Sequence, residues 1–279
     1  MIKQWQLAHG RNLQLGAKSV IMGILNVTPD SFSDGGHHND LDKALIVAKT
    51  MLDDGATIID VGGESTRPGA ALVDAETESA RVVPVIRALA KEFGCTISID
   101  TYRASTARLA VEAGAHIVND VWGLQREPEI AQVAKDTGAG LVIMHTSRDR
   151  NTDPDVIADQ FAFLDVSLEI ASRAGIDAGS IVLDPGFGFG KNKDEDIALM
   201  ARMEELQRFS YPLLVGTSRK RFIGAITEQA DPLMRDIGTA ATSVAMRLAG
   251  ADIFRVHNVA FNRDALAVAD AILQSRLKN

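Results

Sequence analysis

The chain has 279 residues, 46% hydrophobic and 24% charged, with a formal net charge of −8. That is the composition of a globular chain long enough for one large domain or two small ones, and its acidic balance argues against a general nucleic-acid binder without excluding a local basic pocket. A lone cysteine, Cys95, cannot close an internal disulfide, and neither a signal-peptide core nor an apolar run of membrane-spanning length is visible, so a reducing, cytoplasmic setting away from membranes is expected.

Residues 4–15 are short and mixed, carry the turn His9-Gly10-Arg11-Asn12, and read as a small hairpin ahead of the main fold. From Val20 a regular alternation begins. Apolar runs at 20–25, 57–61, 96–99, 117–118, 141–144, 181–183, 213–215 and 253–256 predict buried strands. Between them lie stretches with helical spacing, such as Leu41, Ala44, Leu45, Ala48 and Leu52. A Gly-Ala pair at 55–56, 114–115 and 250–251 places a helix-ending glycine just before a strand. Eight strands alternating with helices, and no linker, predict an α/β (β/α)8 TIM barrel as one domain over 1–279, with the hairpin in 1–16 and the barrel in 20–279. A doubly wound open sheet is the weaker alternative, because no G-x-G-x-x-G follows the first strand.

Barrel enzymes place their sites where the strands end. Reading off those ends gives Asn26, the loop 62–69, Asp100, Asn119-Asp120, Met144-His145, Asp184, the run Ser218-Arg219-Lys220, and Arg255 with His257. Nearly every strand delivers a polar or ionisable side chain to one rim. Helix capping accounts for some of the Asp and Asn, but not readily for Lys220, Arg255 and His257. The stretch I-V-L-D-P-G-F-G-F-G-K at 181–191 concentrates the pattern. A short buried strand ends on Asp184, Pro185 stops the ladder, and three glycines let the backbone turn tightly. A carboxylate so placed needs either a cationic neighbour or a ligand that brings donors. Arg255 and His257 lean the same way and make a candidate anion site, unless Arg255 is spent on Asp252 or Asp236.

Several look-alikes fail. The glycines before Lys191 do not have Walker spacing, since Pro185 stands where the first glycine should be. Gly216-Thr217-Ser218-Arg219-Lys220 lacks the closing glycine of a nucleophile elbow. The six histidines form no zinc-type cluster. Oxygen donors such as Asn26 beside a diphosphate suit Mg²⁺ better. The loop 27–36 is long and rich in turn formers, with Phe32 as an apolar tip, and reads as a lid over the barrel mouth.

Five motifs, in this order, carry a resemblance: G-I-L-N-V-T-P-D-S-F-S-D-G-G at 23–36, D-V-G-G-E-S-T-R-P-G at 60–69, L-D-P-G-F-G-F-G-K at 183–191, S-R-K at 218–220 and R-V-H at 255–257. Together they resemble the dihydropteroate synthase family over essentially the whole chain from Val20. The resemblance implies a barrel enzyme of folate biosynthesis. It would join 6-hydroxymethyl-7,8-dihydropterin diphosphate to p-aminobenzoate, use Mg²⁺, act as a homodimer and be a sulfonamide target. It further implies that Asp184, Asp100, Asn119, Met144 and Lys220 hold the pterin. Phe32, Thr66, Arg67, Pro68, Phe189 and Ser218 would form the p-aminobenzoate region. Asn26, Arg255 and His257 would take the diphosphate, with Asn26 on the metal, and Asp34, Arg67, Asp100 and Lys220 would be catalytic. The chain departs from the family pattern at Asn258, where Asp is usual, at Thr217, around 101–103 and in the loop 145–154. A methyltransferase that binds pterin on the same scaffold, or a pterin-binding paralogue without the activity, explains less, since neither needs the S-T-R-P-G loop together with the Arg255–His257 pair.

Overall fold

The computed structural model describes residues 3–28, 37–64 and 72–276. The expected lid and five expected site residues, Phe32, Asp34, Thr66, Arg67 and Pro68, lie outside the described residues. Strands β1 (Lys3–Gln6) and β2 (Asn12–Leu15) pair antiparallel as the predicted hairpin. Eight parallel strands follow: β3 (Val20–Asn26), β4 (Ile58–Gly62), β5 (Thr96–Asp100), β6 (Ile117–Asp120), β7 (Gly140–Met144), β8 (Ile181–Asp184), β9 (Leu214–Val215) and β10 (Ile253–Val256). Their spatial order is β8-β7-β6-β5-β4-β3-β10-β9. A parallel bridge from Leu183 to Leu213, and a hydrogen bond from Leu183 N–H to Pro212 O at 3.0 Å, bring β8 against β9 and close the barrel. Between strands run α1 (His37–Asp53), α2 (Ala75–Glu92), α3 (Ala104–Glu112), α4 (Glu129–Thr137), α5 (Val156–Arg173) and α6 (Lys193–Ala201). Helices α7 (Arg221–Thr227) and α8 (Asp236–Leu248) connect β9 to β10, and α9 (Val259–Arg276) ends the chain's described part.

The strands read as near-continuous aliphatic runs because parallel strands in a barrel are covered on both faces. The period of two sorts their side chains. Ile59, Val61, Ile97, Ile99, Leu141 and Ile143 point outward and pack in the large core beneath the helices. Met22, Ile58, Ile117, Val142, Val182, Leu214 and Ile253 point inward at the lower end of the barrel, where Trp5, Leu7 and Leu15 of the hairpin region join them. Trp5 is fully buried, and its indole N–H donates to Ser180 O at 2.9 Å. The hairpin is therefore the plug of the barrel floor.

Above that apolar floor the inward positions turn polar: Asp60 and Ser98, then Asn119, Asp100, Asp184 and Arg255. The change of chemistry along one face is what sets the open end of the barrel apart from its floor. Helix starts just past the rim are held by their own caps. Asp155 accepts from Ile157 and Ala158 N–H, and Asn192 with Glu195 forms a capping box on α6. The predicted Gly-Ala stops are present: Ala56, Ala115 and Ala251 donate back to Met51, Ala110 and Met246 carbonyls at 2.9–3.0 Å. No described helix is long and apolar enough to cross a membrane.

Candidate active site at the barrel mouth

A narrow cleft opens at the C-terminal end of the strands. It is lined by Asn119, Met144, Asp184, Phe189, Lys220 and Arg255, with Val121, Gly186, Phe187 and Gly216 between them. Five residues that the sequence placed on separate strand ends, with Phe189 from the turn after β8, thus share one cavity.

The turn after β8 is built for close approach. Gly186 has φ +65°, and a Cβ there would sit 1.8 Å from the carbonyl oxygen of His145, so no side chain fits without moving backbone. Gly186 N–H in turn caps Asp184, donating to Oδ1 at 2.7 Å. A Cβ on Gly188 would lie 2.7 Å from Lys220 Cδ. The lysine lies along the turn instead, with Nζ donating to Phe187 O at 2.5 Å and standing 3.9 Å from the centre of the Phe189 ring. The guanidinium of Arg148 lies over the same ring, 4.6 Å from its centre.

Arg255 does not use Asp252 or Asp236, which pair with Arg247 and Arg219. It reaches into the barrel and bridges two carboxylates, with Nε 2.6 Å from Asp60 Oδ2 and Nη2 2.6 Å from Asp100 Oδ2. Asp60 Oδ2 also accepts from Asn119 Nδ2 at 3.3 Å. One fully buried carboxylate thereby orients two site residues at once. Asn26 joins them from the next strand: a Cβ on Gly62 would lie 3.5 Å from Asn26 Oδ1 and 3.8 Å from Asp100 Oδ2, so both oxygens border the same glycine. Asn119 Oδ1 and Asp60 Oδ1 are buried without a hydrogen-bond partner among the described residues, which leaves acceptor capacity facing the interior.

The electrostatics follow from this crowding. Burial pushes Asp100 up to about 7; Arg255 opposes the rise, while Asp60, Glu78 and Asp120 add to it. Burial brings Lys220 down to about 7, against the pull of Asp184. Asp184 is also raised by burial, with the Gly186 N–H, Lys220, Arg255 and Lys191 acting the other way. Arg255 stays charged: burial disfavours its cation, but Asp60 and Asp100 outweigh that.

His257 lies on the neighbouring loop. Its Nδ1 is 2.9 Å from Ser218 Oγ, and its backbone N–H donates to the same oxygen at 3.1 Å. Arg255 and His257 thus leave β10 toward different partners, one into the barrel and one toward β9.

The comparisons with known proteins agree with this geometry. The family model described as pterin binding enzyme matches residues 22–257. The dihydropteroate synthase of Bacillus subtilis is 47% identical over 274 residues, covering 98% of this chain and 95% of that protein. The chain belongs to the dihydropteroate synthase family. A solved dihydropteroate synthase of Clostridium difficile, in the presence of pteroic acid, superposes with TM-score 0.90 at 48% identity over 92% of this chain and 98% of that one. That of Xanthomonas albilineans, with 4-aminobenzoic acid, gives TM-score 0.91 at 39% identity over 97% and 99%.

The departure at Asn258 has a structural answer for a dihydropteroate synthase. Asn258 Nδ2 donates to Asp236 Oδ2 at 2.9 Å, and Arg219 grips the same carboxylate through Nε at 2.7 Å and Nη2 at 2.9 Å. Burial raises Asp236, but Arg219, Asn258 and the charge of His257 together hold it below the ordinary carboxylate range. A carboxylate therefore does bear on His257, delivered by α8. Sequence reasoning also missed residues of this dihydropteroate synthase mouth. Asp60 was legible only as a carboxylate inside the apolar run Ile58-Ile59-Asp60-Val61. Arg103, with Nη1 2.6 Å from Glu64 and 3.1 Å from Glu78, braces the rim between β4 and β5 from a position read as variable. It also donates to Val73 O.

Proposed function

We propose that the cleft binds the pterin of 6-hydroxymethyl-7,8-dihydropterin diphosphate and presents its methylene to p-aminobenzoate. The enzyme is a dihydropteroate synthase of folate biosynthesis, giving 7,8-dihydropteroate and diphosphate. The observation that carries the site reading is the cleft itself: acceptors Asp184 and Asn119 on one side, a lysine donor on another, and apolar walls from Met144 and Phe189. Asp184 takes the amino and ring N–H groups of the pterin. Asn119 and Asp100 hold the opposite edge, and Lys220 donates to the pterin carbonyl and ring nitrogen. Phe189 and Ser218, with Phe32, Thr66, Arg67 and Pro68, receive p-aminobenzoate.

The reaction breaks the bond between the methylene carbon and the diphosphate oxygen and forms one from that carbon to the arylamine nitrogen, which then loses a proton. The arylamine is neutral near pH 7 and has its lone pair available, so the difficult event is departure of the diphosphate. Arg255 and His257 are the residues this reading assigns to the developing negative charge. Asp100 and Asp34 favour a cation at the methylene, which the electron-rich pterin stabilises. On this reading the displacement is stepwise and dissociative. A large secondary deuterium isotope effect at the methylene is the expected result, and its absence would count against a cationic intermediate.

Asn26 Oδ1, with oxygens of the diphosphate, suits Mg²⁺, a hard ion that is bound through few protein oxygens and substrate phosphates rather than a full protein cage. The described residues fit that mode: Asn26 and Asp100 offer oxygens beside Gly62, and no group of three or more His, Cys, Asp or Glu forms a cage among them. When bound, Mg²⁺ supplies neutralisation of the diphosphate charge. A homodimer is supported by exposed apolar side chains at Ile226, Leu233, Met234 and Ile237, gathered on α7, α8 and the turn between them. A cytoplasmic setting is supported by the single free cysteine. The test of the activity is diphosphate release from the dihydropterin diphosphate with Mg²⁺, with and without p-aminobenzoate, alongside detection of dihydropteroate. Product that requires p-aminobenzoate is expected; tight pterin binding without product would point to a non-catalytic paralogue.

A further inference from the structure

Behind the pterin cleft lies a buried chain of charged groups that the proposed chemistry does not use. Lys191 is 8% exposed, and its Nζ lies 2.9 Å from Gly186 O and 2.9 Å from His145 Nδ1. His145 is fully buried, with Nε2 2.9 Å from Asp159 Oδ2 on α5. Asp159 is held in turn by both amino groups of Arg150, at 2.9 and 2.5 Å, and by Asp153 N–H at 2.9 Å. An ammonium can only donate, so with Lys191 charged His145 Nδ1 accepts and the ring proton sits on Nε2, which lies 2.9 Å from both Asp159 Oδ2 and Arg150 Nη2. The imidazole is thus held as the neutral form among Lys191, Arg150 and Asp159. Burial, with Lys191 beside it, lowers His145 to about 3, which keeps it neutral across physiological pH.

The far end of this chain is the glycine turn. Gly186 O accepts Lys191, Gly186 N–H caps Asp184, and the next carbonyl, Phe187 O, anchors Lys220. The backbone of His145 also donates to Asp184 O at 2.8 Å. Asp184 and Lys220 are therefore both referenced to a turn whose position is set from outside the cleft.

We propose that Lys191 is a positioning residue, and that the Asp159–His145–Lys191 chain acts as one strut fixing the turn that places Asp184 and Lys220 against the pterin. The inference rests on the pterin reading of the cleft. A strut that works as a unit fails as a unit, so losses at its two ends do not add. The test compares wild type, Lys191→Met, Asp159→Asn and the double variant by calorimetric binding of the dihydropterin diphosphate and by thermal unfolding. Lys191→Met is expected to weaken pterin binding by about tenfold or more, the scale of a lost charge-assisted hydrogen bond. Asp159→Asn should weaken it less, and the double variant no more than Lys191→Met alone. Unchanged affinity in folded Lys191→Met, or additive losses that track the fall in Tm, would overturn the proposal. If Lys191→Met does not fold, ¹⁵N-histidine NMR of the wild-type protein decides. The His145 Nδ1 signal should report an acceptor at neutral pH, with or without the pterin; an Nδ1 that carries the proton overturns the strut. Wild-type protein that binds no pterin would instead sink the reading of the cleft, and this proposal with it.

Discussion

Asp60→Asn is the sharpest probe of how the mouth is held together. The wild-type carboxylate is fully buried and takes Arg255 Nε at 2.6 Å and Asn119 Nδ2 at 3.3 Å through a single oxygen. Leaving a buried charge without its partner costs about 3–5 kcal/mol. Arg255 keeps Asp100 at 2.6 Å and is 19% exposed at its side chain, so a loss nearer ~2 kcal/mol is expected, or roughly 30-fold in kcat/KM for the pterin diphosphate. A second readout has a sign fixed by the geometry. The charge of Asp60 adds to the rise of Asp100 and competes with it for Arg255. Removing that charge lowers the Asp100 pKa from about 7, so the acid limb of the kcat/KM–pH profile moves to lower pH. The assay is diphosphate release as a function of pH at saturating p-aminobenzoate, with thermal unfolding to establish that the variant folds. A folded Asp60→Asn protein with wild-type kcat/KM and an unmoved acid limb would refute the argument that Asp60 organises Arg255.

Three further outcomes are expected. Lys220→Ala should weaken pterin binding by about 1.5–3 kcal/mol, the scale of a hydrogen bond to a charged group, measured by calorimetry; unchanged affinity would remove Lys220 from the site. Gly186→Ala should destabilise the fold by ~3 kcal/mol or more in denaturant titration, because left-handed backbone strain is joined by a clash that only backbone movement relieves. Wild-type kcat/KM should rise as Asp100 ionises and fall as Lys220 loses its proton, both about 7, giving a narrow bell whose limbs belong to the coupled group rather than to either residue; a flat profile across about pH 5–9 would contradict it. The stability sign is separate. The folded value of Asp100 lies above its ordinary 3.8, so the fold prefers the protonated form, and that contribution is full below 3.8 and lost as pH rises to about 7.

The barrel was legible because its cause is local. Aliphatic runs of strand length alternate with stretches of helical spacing, and all eight predicted strands are present. Their ends were less legible. Asn26, Gly62, Asp100, Asn119 and Asp120 were read as lying just past their strands but belong to the ladders. Ladder pairing is made by backbone, and a polar side chain at the last position does not stop it. The rim residues could be read from strand ends alone, yet their partners could not. Arg255 was weighed against acids near it in sequence or on its own helix side, while its real partners lie 195 and 155 residues away. Those distances are set by closure of the barrel, which no local pattern encodes. Lys191 was overlooked for a related reason, since it was judged against a phosphate-loop spacing and its true acceptor, His145, sits at the end of the preceding strand.

The Asn258 position shows how a departure from a family pattern can be read only with the third dimension in hand. On sequence, an amide in place of the usual carboxylate removes a negative charge from beside His257. In the fold, the amide does two things a carboxylate could not do together. Its oxygen accepts Phe261 N–H at 3.1 Å and starts α9, while its nitrogen donates to Asp236. A second carboxylate at 258 would lose the Nδ2 donor to Asp236 and set a like charge beside it, which is mutually destabilising. The amide adds a donor to Asp236, which anchors Arg219, the residue just before Lys220. The charge near His257 is thus supplied by Asp236 on α8, which also braces the loop that carries Ser218 and Lys220.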